Sequence, residues 1–388
     1  MKQYIQLSLA ALAFASLFET TTTVAQTMTR PSSPRPRPST VVRNVEDAIK
    51  DPASVKRLDL SRKKLTELPA DVLQCTNLEE LNLTGNELTT LPSGITALKS
   101  LRTLNLSRNK FTEVPEALKQ LGALQVLNLS QNAITKVGKV AMPSLQRLDL
   151  RGNVLSGGID AAAFDGMTAL QDLELGRTGI SDVPASMMKL AGLVSVDLSG
   201  NALKQVPVGF GTMASLADLN LAGNGLTAVP ADLAKAVALS ILDLSGNALT
   251  SLPEGLVNHP TLRRLLVRGN KLAKLPDATA NVLEQLVLDS NAIAALPASI
   301  GKYTRLTRLS LRANKLTTVP VEIASCTSLA ELDLSGNALA SLPVKELASL
   351  PALTRLNIRS VVAPEARAGD PDKTSIPEPA DASKPKKP

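Results

Sequence analysis

The sequence predicts an α/β right-handed solenoid bent into a horseshoe. A parallel β-sheet lines its concave side and short helical or 3₁₀ segments its convex side. Three observations predict this. A unit repeats at a near-constant period from about Val55 to Val361, its leucines alternate at the start of each copy, and a proline recurs at one place in the return path. A fixed period of this size marks a solenoid, in which each unit hides its apolar edge only by stacking on its neighbours.

The stretch Leu78 to Ser100, LEELNLTGNELTTLPSGITALKS, is one copy. Counting by the asparagine that ends L-x-x-L-x-L-x-x-N, the copies are marked by Asn86, Asn109, Asn132, Asn153, Asn201, Asn224, Asn247, Asn270, Asn291, Asn314 and Asn337. Lys63 and Thr178 fill the slot in two further copies, and Val361 fills it in a partial last one. Most steps are 23 residues, two are 21 (132 to 153 and 270 to 291), one is 25 and the last is 24.

Leu81 and Leu83, with polar neighbours between them, alternate as a short half-buried strand does. One such strand per coil stacks in parallel on the next, about 4.8 Å away. Parallel strands require a crossover of a dozen or more residues, normally right-handed, and Leu88, Leu91, Ile95 and Leu98 pin that return path. A proline stands six residues after the marker in eleven of thirteen copies, Pro92 and Pro115 among them. Proline suits the opening of a short helix or turn, where a missing N–H costs nothing. Helical pieces are wider than strands, so the stack curves with the sheet inside. The marker asparagine closes the strand into a turn, because it tolerates unusual backbone angles and its amide both donates and accepts.

At these residues the chain resembles the leucine-rich-repeat family. Most copies are similar to the 23-residue type, L-x-x-L-P-x-x-I-x-x-L-x-x-L-x-x-L-x-L-x-x-N, also found in Ras-group leucine-rich-repeat proteins. The copy containing Ala163-Phe164-Asp165-Gly166-Met167 is nearer the longer extracellular type, and secreted bacterial members are similar. The resemblance spans roughly four fifths of the chain. It implies the same horseshoe, with marker asparagines pointing inward to satisfy backbone groups between coils. It also implies a binding surface, since the family mostly supplies surfaces for very different partners.

Residues 1–25 read as a secretory signal: Lys2 gives the positive start, Leu7 to Phe18 an apolar run, and Thr23-Val24-Ala25 a small-residue end. Cleavage is expected after Ala25 or after Ala15. The 12-residue run is too short to span a bilayer core of about 30 Å. The alternative, a buried helix of the mature protein, would have only the polar Thr20 to Thr23 run and a Pro-rich segment beside it. Residues 26–43 form a Pro/Arg-rich linker with four arginines and no acid. The solenoid is expected over 44–360, opened by a capping helix at 44–50 with Asn44 as N-cap, Asp47 three residues on, and Val45, Ala48 and Ile49 as its apolar edge. Leu353, Leu356 and Ile358 form a last strand, and the Pro/Lys-rich tail 361–388 is expected to be disordered.

The net charge is +7, but the solenoid itself holds only about +3 of it, so the basic balance does not argue for nucleic acid. The parts for catalysis are missing. Cys75 and Cys326 occupy equivalent places eleven coils apart, about 50 Å at the strand spacing, beyond disulfide reach. Both are expected as buried apolar thiols. His259 is the one histidine, in the same packing column, which leaves metal centres and Cys/His or Ser/His catalysis without partners. Phe111, Phe164, Phe210 and Tyr303 fill core slots, which leaves no stacking platform for sugars or unpaired bases. The expectation is a non-enzymatic protein without cofactor or metal.

A partner is expected on the outward strand positions, six, four and two residues before each marker. The middle column is nearly all Asp or Asn until it becomes Leu266, Val287 and Ser310. Arg264, Arg268, Arg308 and Arg312 flank that break, and Arg355 and Arg359 continue beyond it. An aliphatic pair rimmed by arginines is the profile of an interface centre. The candidate site is therefore Arg264, Leu266, Arg268, Val287, Arg308, Arg312, Arg355 and Arg359, taking an acidic or carboxylate-bearing protein or peptide. Drift on a solvated face is the alternative. A second basic spot, Arg147 and Arg151, faces Asp172 and Glu174 one coil on, and local pairing explains it.

The expectation is a monomeric bacterial protein, secreted or held in the periplasm or cell envelope, working as a recognition scaffold. One alternative is a structural envelope or surface protein whose basic linker and tail contact acidic polymers. Another is a secreted effector with an enzyme domain beside the repeats, which flanks of this length do not provide.

Overall fold

The computed structural model describes residues 41–279 and 282–359. The signal segment 1–25, linker residues 26–40 and the tail 361–388 lie outside them. Among the described residues, fourteen three-residue strands form one parallel sheet in strict chain order. They are β1 (Arg57–Asp59), β2 (Glu80–Asn82), β3 (Thr103–Asn105), β4 (Val126–Asn128), β5 (Arg147–Asp149), β6 (Asp172–Glu174) and β7 (Ser195–Asp197). The sheet goes on through β8 (Asp218–Asn220), β9 (Ile241–Asp243), β10 (Arg264–Leu266), β11 (Gln285–Val287), β12 (Arg308–Ser310), β13 (Glu331–Asp333) and β14 (Arg355–Asn357). Register follows the repeat, so equivalent residues stand side by side: Leu58 beside Leu81, Leu265 beside Leu286.

The middle residue of each strand points into the spine, and the core is one continuous, mostly leucine column from Ala48 to Leu353. Burying each such side chain contributes roughly 1.5–3 kcal/mol before chain entropy is subtracted. Phe111, Phe164, Phe210 and Tyr303 are all buried in that column, as are Cys75 and Cys326, both free thiols.

The prolines act one position earlier than a first-turn role requires. Pro92 is the N-cap of the 3₁₀ turn Ser93–Ala97, and its carbonyl accepts from Ile95 N at 3.0 Å. The missing N–H is therefore incidental, and proline's fixed φ is what aims the carbonyl. Helices α1 (Val45–Ala48), α2 (Glu254–Val257) and α3 (Val344–Ala348) are no longer than these turns. The 21-residue coil after Asn132 has no proline in this place, and Val137 pairs with Ile159 on the return path instead.

Each marker asparagine is a cross-coil clamp. Asn109 Nδ2 donates to Leu106 O in its own coil and Leu83 O in the preceding one, while its Oδ1 accepts from Leu88 N. Thr178 manages less: its single hydroxyl proton is shared between Leu175 O at 2.8 Å and Asn201 Oδ1 at 3.0 Å. The unusual backbone angle expected of the asparagine belongs to its predecessor. Gly85, Gly200 and Gly246 hold positive φ there, and Arg108, Gln131, Arg177, Ser290 and Ala313 do the same at 54–56°. A left-handed residue turns the chain, and the asparagine inside the turn is left free to hydrogen-bond inward. Gly246 has a second reason, since a Cβ there would lie 3.5 Å from Gly223 Cα in the coil before.

At the N-terminal end, Asn44 caps α1 by accepting from Asp47 N at 2.7 Å. Ala48 is buried, but Ile49 is 41 % exposed and leaves the apolar edge, because the helix stops at Ala48. Val42 extends the sheet by one bridge to Leu58, donating to Arg57 O and accepting from Asp59 N. At the other end Leu353 is buried, whereas Leu356 and Ile358 are only half-buried.

Candidate functional site on the concave sheet

The outward rows of the sheet are built by one local rule. The Asp or Asn four residues before the marker turns its Oδ1 back to cap the backbone N–H two residues later. Asn105 accepts from Ser107 N at 3.0 Å, Asp197 from Ser199 N at 2.9 Å, and Asp243 from Ser245 N at 2.8 Å. A short side chain one strand position away reaches its own backbone easily. The acidic middle column is thus first a backbone device.

The rule lapses where the column turns aliphatic. Leu266 and Val287 have no acceptor to offer, and among the described residues Arg268 N and Asp289 N have no hydrogen-bond partner. Ser310 also fails to cap, but Asp289 reaches forward from the preceding coil. Its Oδ1 accepts from Arg312 N at 3.0 Å and from the Ser310 hydroxyl.

The structure gathers the sequence-derived site onto one surface. Strand register aligns Arg264, Gln285, Arg308, Glu331 and Arg355 in one column, and Leu266, Val287, Ser310, Asp333 and Asn357 in the next. Arg264, Arg268, Arg308, Arg312, Arg355 and Arg359 are exposed. Leu266 and Val287 are half-buried rather than bare, since flanking coils stand one strand spacing away on either side. Arg308 approaches Glu331 at 3.7 Å. Among the described residues, the side chains of Arg264, Arg268, Arg312, Arg355 and Arg359 have no ion pair within 4.0 Å. Asp289, missed in the sequence, stands inside the patch; its place two residues before Asn291 already put it on this face.

The middle of the same sheet is different. Arg147 donates to Asp172 at 2.8 Å, and Arg151 holds Asp149 at 2.9 Å and approaches Glu174 at 3.7 Å. Burial, more than any neighbour, pushes the Glu174 carboxyl above its usual range, and Arg151 partly opposes this. Asp218 is raised in the same way, with Arg264 the charge that opposes it.

Other reactive groups are packed away. Burial pushes the Cys326 thiol up to about 11, and its Sγ donates to Ile300 O at 3.3 Å. His259 is buried with its Nδ1 3.3 Å from Thr261 N, and burial lowers its pKa. Among the described residues no three His, Cys, Asp or Glu side chains are grouped to hold a metal ion, and no helix is long and apolar enough to cross a membrane. A cleft of about 260 Å³ near Thr112, Lys119 and Lys139 lies at the short coil, away from the arginines.

A stacked-coil solenoid with a parallel concave sheet is the architecture of a repeat scaffold. This chain belongs to the leucine rich repeat family, whose model matches residues 53–111, 143–203, 214–272, 281–339 and 304–360. Its fold is similar to that of a leucine-rich-repeat protein of Leptospira interrogans, at 27 % identity and TM-score 0.63, over 82 % of this chain and 88 % of that one. It is similar to YopM of Yersinia enterocolitica at 27 % identity and TM-score 0.57, over 78 % of this chain and 58 % of YopM. A Toll–Spatzle complex from Drosophila gives 23 % identity and TM-score 0.68, over 78 % of this chain and 44 % of that one. No curated protein matches significantly.

Proposed function

We propose that this protein is a non-enzymatic recognition scaffold that binds an acidic protein or peptide across β10 to β14. The observation that carries this reading is that Arg264, Arg268, Arg312, Arg355 and Arg359 have no ion pair among the described residues, beside two half-buried aliphatic side chains. Family membership supports it, because such folds are generally interaction scaffolds, and the Toll–Spatzle complex is one in which a partner is bound. Arginine forks suit carboxylates, and an interface centre gains from apolar surface that a partner covers.

The proposal places a monomer outside the cytoplasm, secreted or in the envelope of a bacterium, following the signal-like segment 1–25. The test is affinity capture from envelope extract with the full chain, beside the variant R264E/R268E/R308E/R312E. A captured partner should be lost with the variant; unchanged affinity rejects the surface. Retention that instead follows the basic linker and tail would favour the structural, polymer-binding alternative.

A further inference from the structure

The arginines have a spacing as well as a charge. Arg264 and Arg268 stand four residues apart and straddle Leu266. Two strands on, Arg308 and Arg312 straddle Ser310, and two strands further Arg355 and Arg359 straddle Asn357. The strands between carry Gln285 with Asp289, and Glu331 with Ser335. Arginine pairs therefore recur at every second strand, about 9.6 Å apart at the usual spacing. Within a pair the Cα atoms are about 13 Å apart along the strand, so two long side chains can close on one carboxylate from opposite sides. The β5 pair, Arg147 and Arg151, already closes on the protein's own Asp172, Asp149 and Glu174.

Resting on the acidic-partner reading, we infer that the partner is an extended, proline-rich segment in the polyproline II conformation, with a carboxylate at every third residue, lying across β10 to β14. Polyproline II returns the same face every three residues, about 9.3 Å on, which matches two strands. A β-strand repeats its face about every 6.7 Å, and helix neighbours stand about 5–6 Å apart, so neither keeps step with the arginines. The backbone of polyproline II makes no internal hydrogen bonds, leaving its carbonyls free to accept from Arg268 N and Asp289 N. Leu266 and Val287, half-buried, offer apolar ground for proline rings. Asp289 and Glu331 on the intervening strands repel any carboxylate placed between the pairs, which selects a spaced acidic segment over a continuous acidic run.

The test uses the full chain and three synthetic peptides titrated by calorimetry at low salt: an oligomer of Glu-Pro-Pro, one of Glu-Pro with the same number of glutamates, and one of Gln-Pro-Pro. The Glu-Pro-Pro peptide should bind about tenfold more tightly than Glu-Pro, and Gln-Pro-Pro should not bind, because charge and spacing act together. R264Q/R268Q and R355Q/R359Q should each weaken Glu-Pro-Pro about tenfold, and R147Q/R151Q should leave it unchanged. Equal binding of the two acidic peptides overturns the spacing while leaving an acidic-partner surface standing. Failure of both to bind overturns the inference, and so does binding that survives loss of the arginine pairs. The tail carries Asp372, Glu378 and Asp381 among prolines. Binding that appears only in D372N/E378Q/D381N would assign the surface to that tail and overturn an external partner.

Discussion

Two stretches of one sheet carry the same motif, arginines on either side of the middle column, and put it to opposite ends. At β5 and β6 the arginines are held: Arg147 by Asp172, Arg151 by Asp149 and Glu174. At β10 to β14 the same rows hold Arg264, Arg268, Arg312, Arg355 and Arg359 without an ion pair among the described residues. What differs is the middle column as well as the neighbouring coil: β5 carries Asp149 between its arginines, where β10 carries Leu266. Beside β5 the next strand offers Asp172 and Glu174; beside β10 it offers Gln285 and Val287. In a solenoid each strand meets only its neighbours, so the composition of an arginine's own coil and of the next decides whether it is structural or available.

The largest effect should come from breaking the held pair at its centre. Asp149 is 4 % exposed and accepts both from Arg151 N and from the Arg151 guanidinium. Asp149→Ala should cost about 1.5–3 kcal/mol in urea unfolding, the range for hydrogen bonds to a charged group. A cost under about 0.5 kcal/mol would mean that the held region gains nothing from its pairing.

Acid titration should separate the two regions next. Glu174 has its folded pKa raised by burial, so its contribution to stability is present below the ordinary carboxyl value of 4.5 and is lost as pH rises through the folded value. Glu174→Gln should therefore gain on the parent chain as pH climbs past 4.5, then level off. In the later region the sign reverses. His259 has its folded pKa lowered by burial, so the fold loses stability as pH falls from 6.5 toward that lower value. His259→Met, with the residue that Met167 and Met213 supply in the same column, should abolish that loss. Urea midpoints across pH read both, and parallel curves for parent and variants would refute the assignments.

The period made much of this legible. It sorts residues into columns, and a column says inside or outside; that is why the burial of Phe164, Tyr303 and both cysteines could be expected from spacing alone. It also put the arginines on one face and Asp172 and Glu174 beside Arg147 and Arg151. A column does not say how far a side chain reaches or which way it turns. Asp289 capping Arg312 N one coil ahead, the left-handed residue before each asparagine, and Ile49 outside the cap all depend on local backbone geometry that a periodic count does not contain.

A smaller effect tests the held pair at its rim. The Arg147 side chain is 55 % exposed against Asp172, and exposed pairs contribute little. Arg147→Ala should cost about 0.5 kcal/mol or less, shrinking further at high salt. A larger cost would place the pair among structural anchors.

The smallest stability change should accompany the most informative substitution, Leu266→Asn. Asparagine restores the middle-column rule and supplies Arg268 N with an Oδ1 acceptor, as Asp243 supplies Ser245 N one coil earlier. That cap contributes about 1 kcal/mol, and the half-buried leucine surface given up costs about as much. The unfolding midpoint should therefore stay within about 0.5 kcal/mol of the parent. Binding of an acidic Pro-rich peptide should nonetheless weaken, since the N–H would already be engaged and the apolar ground removed. If instead the variant were clearly more stable and bound as tightly, the uncapped N–H beside Leu266 would be a defect of drift rather than part of a surface, and the late arginines would differ from the held ones only in lacking neighbours.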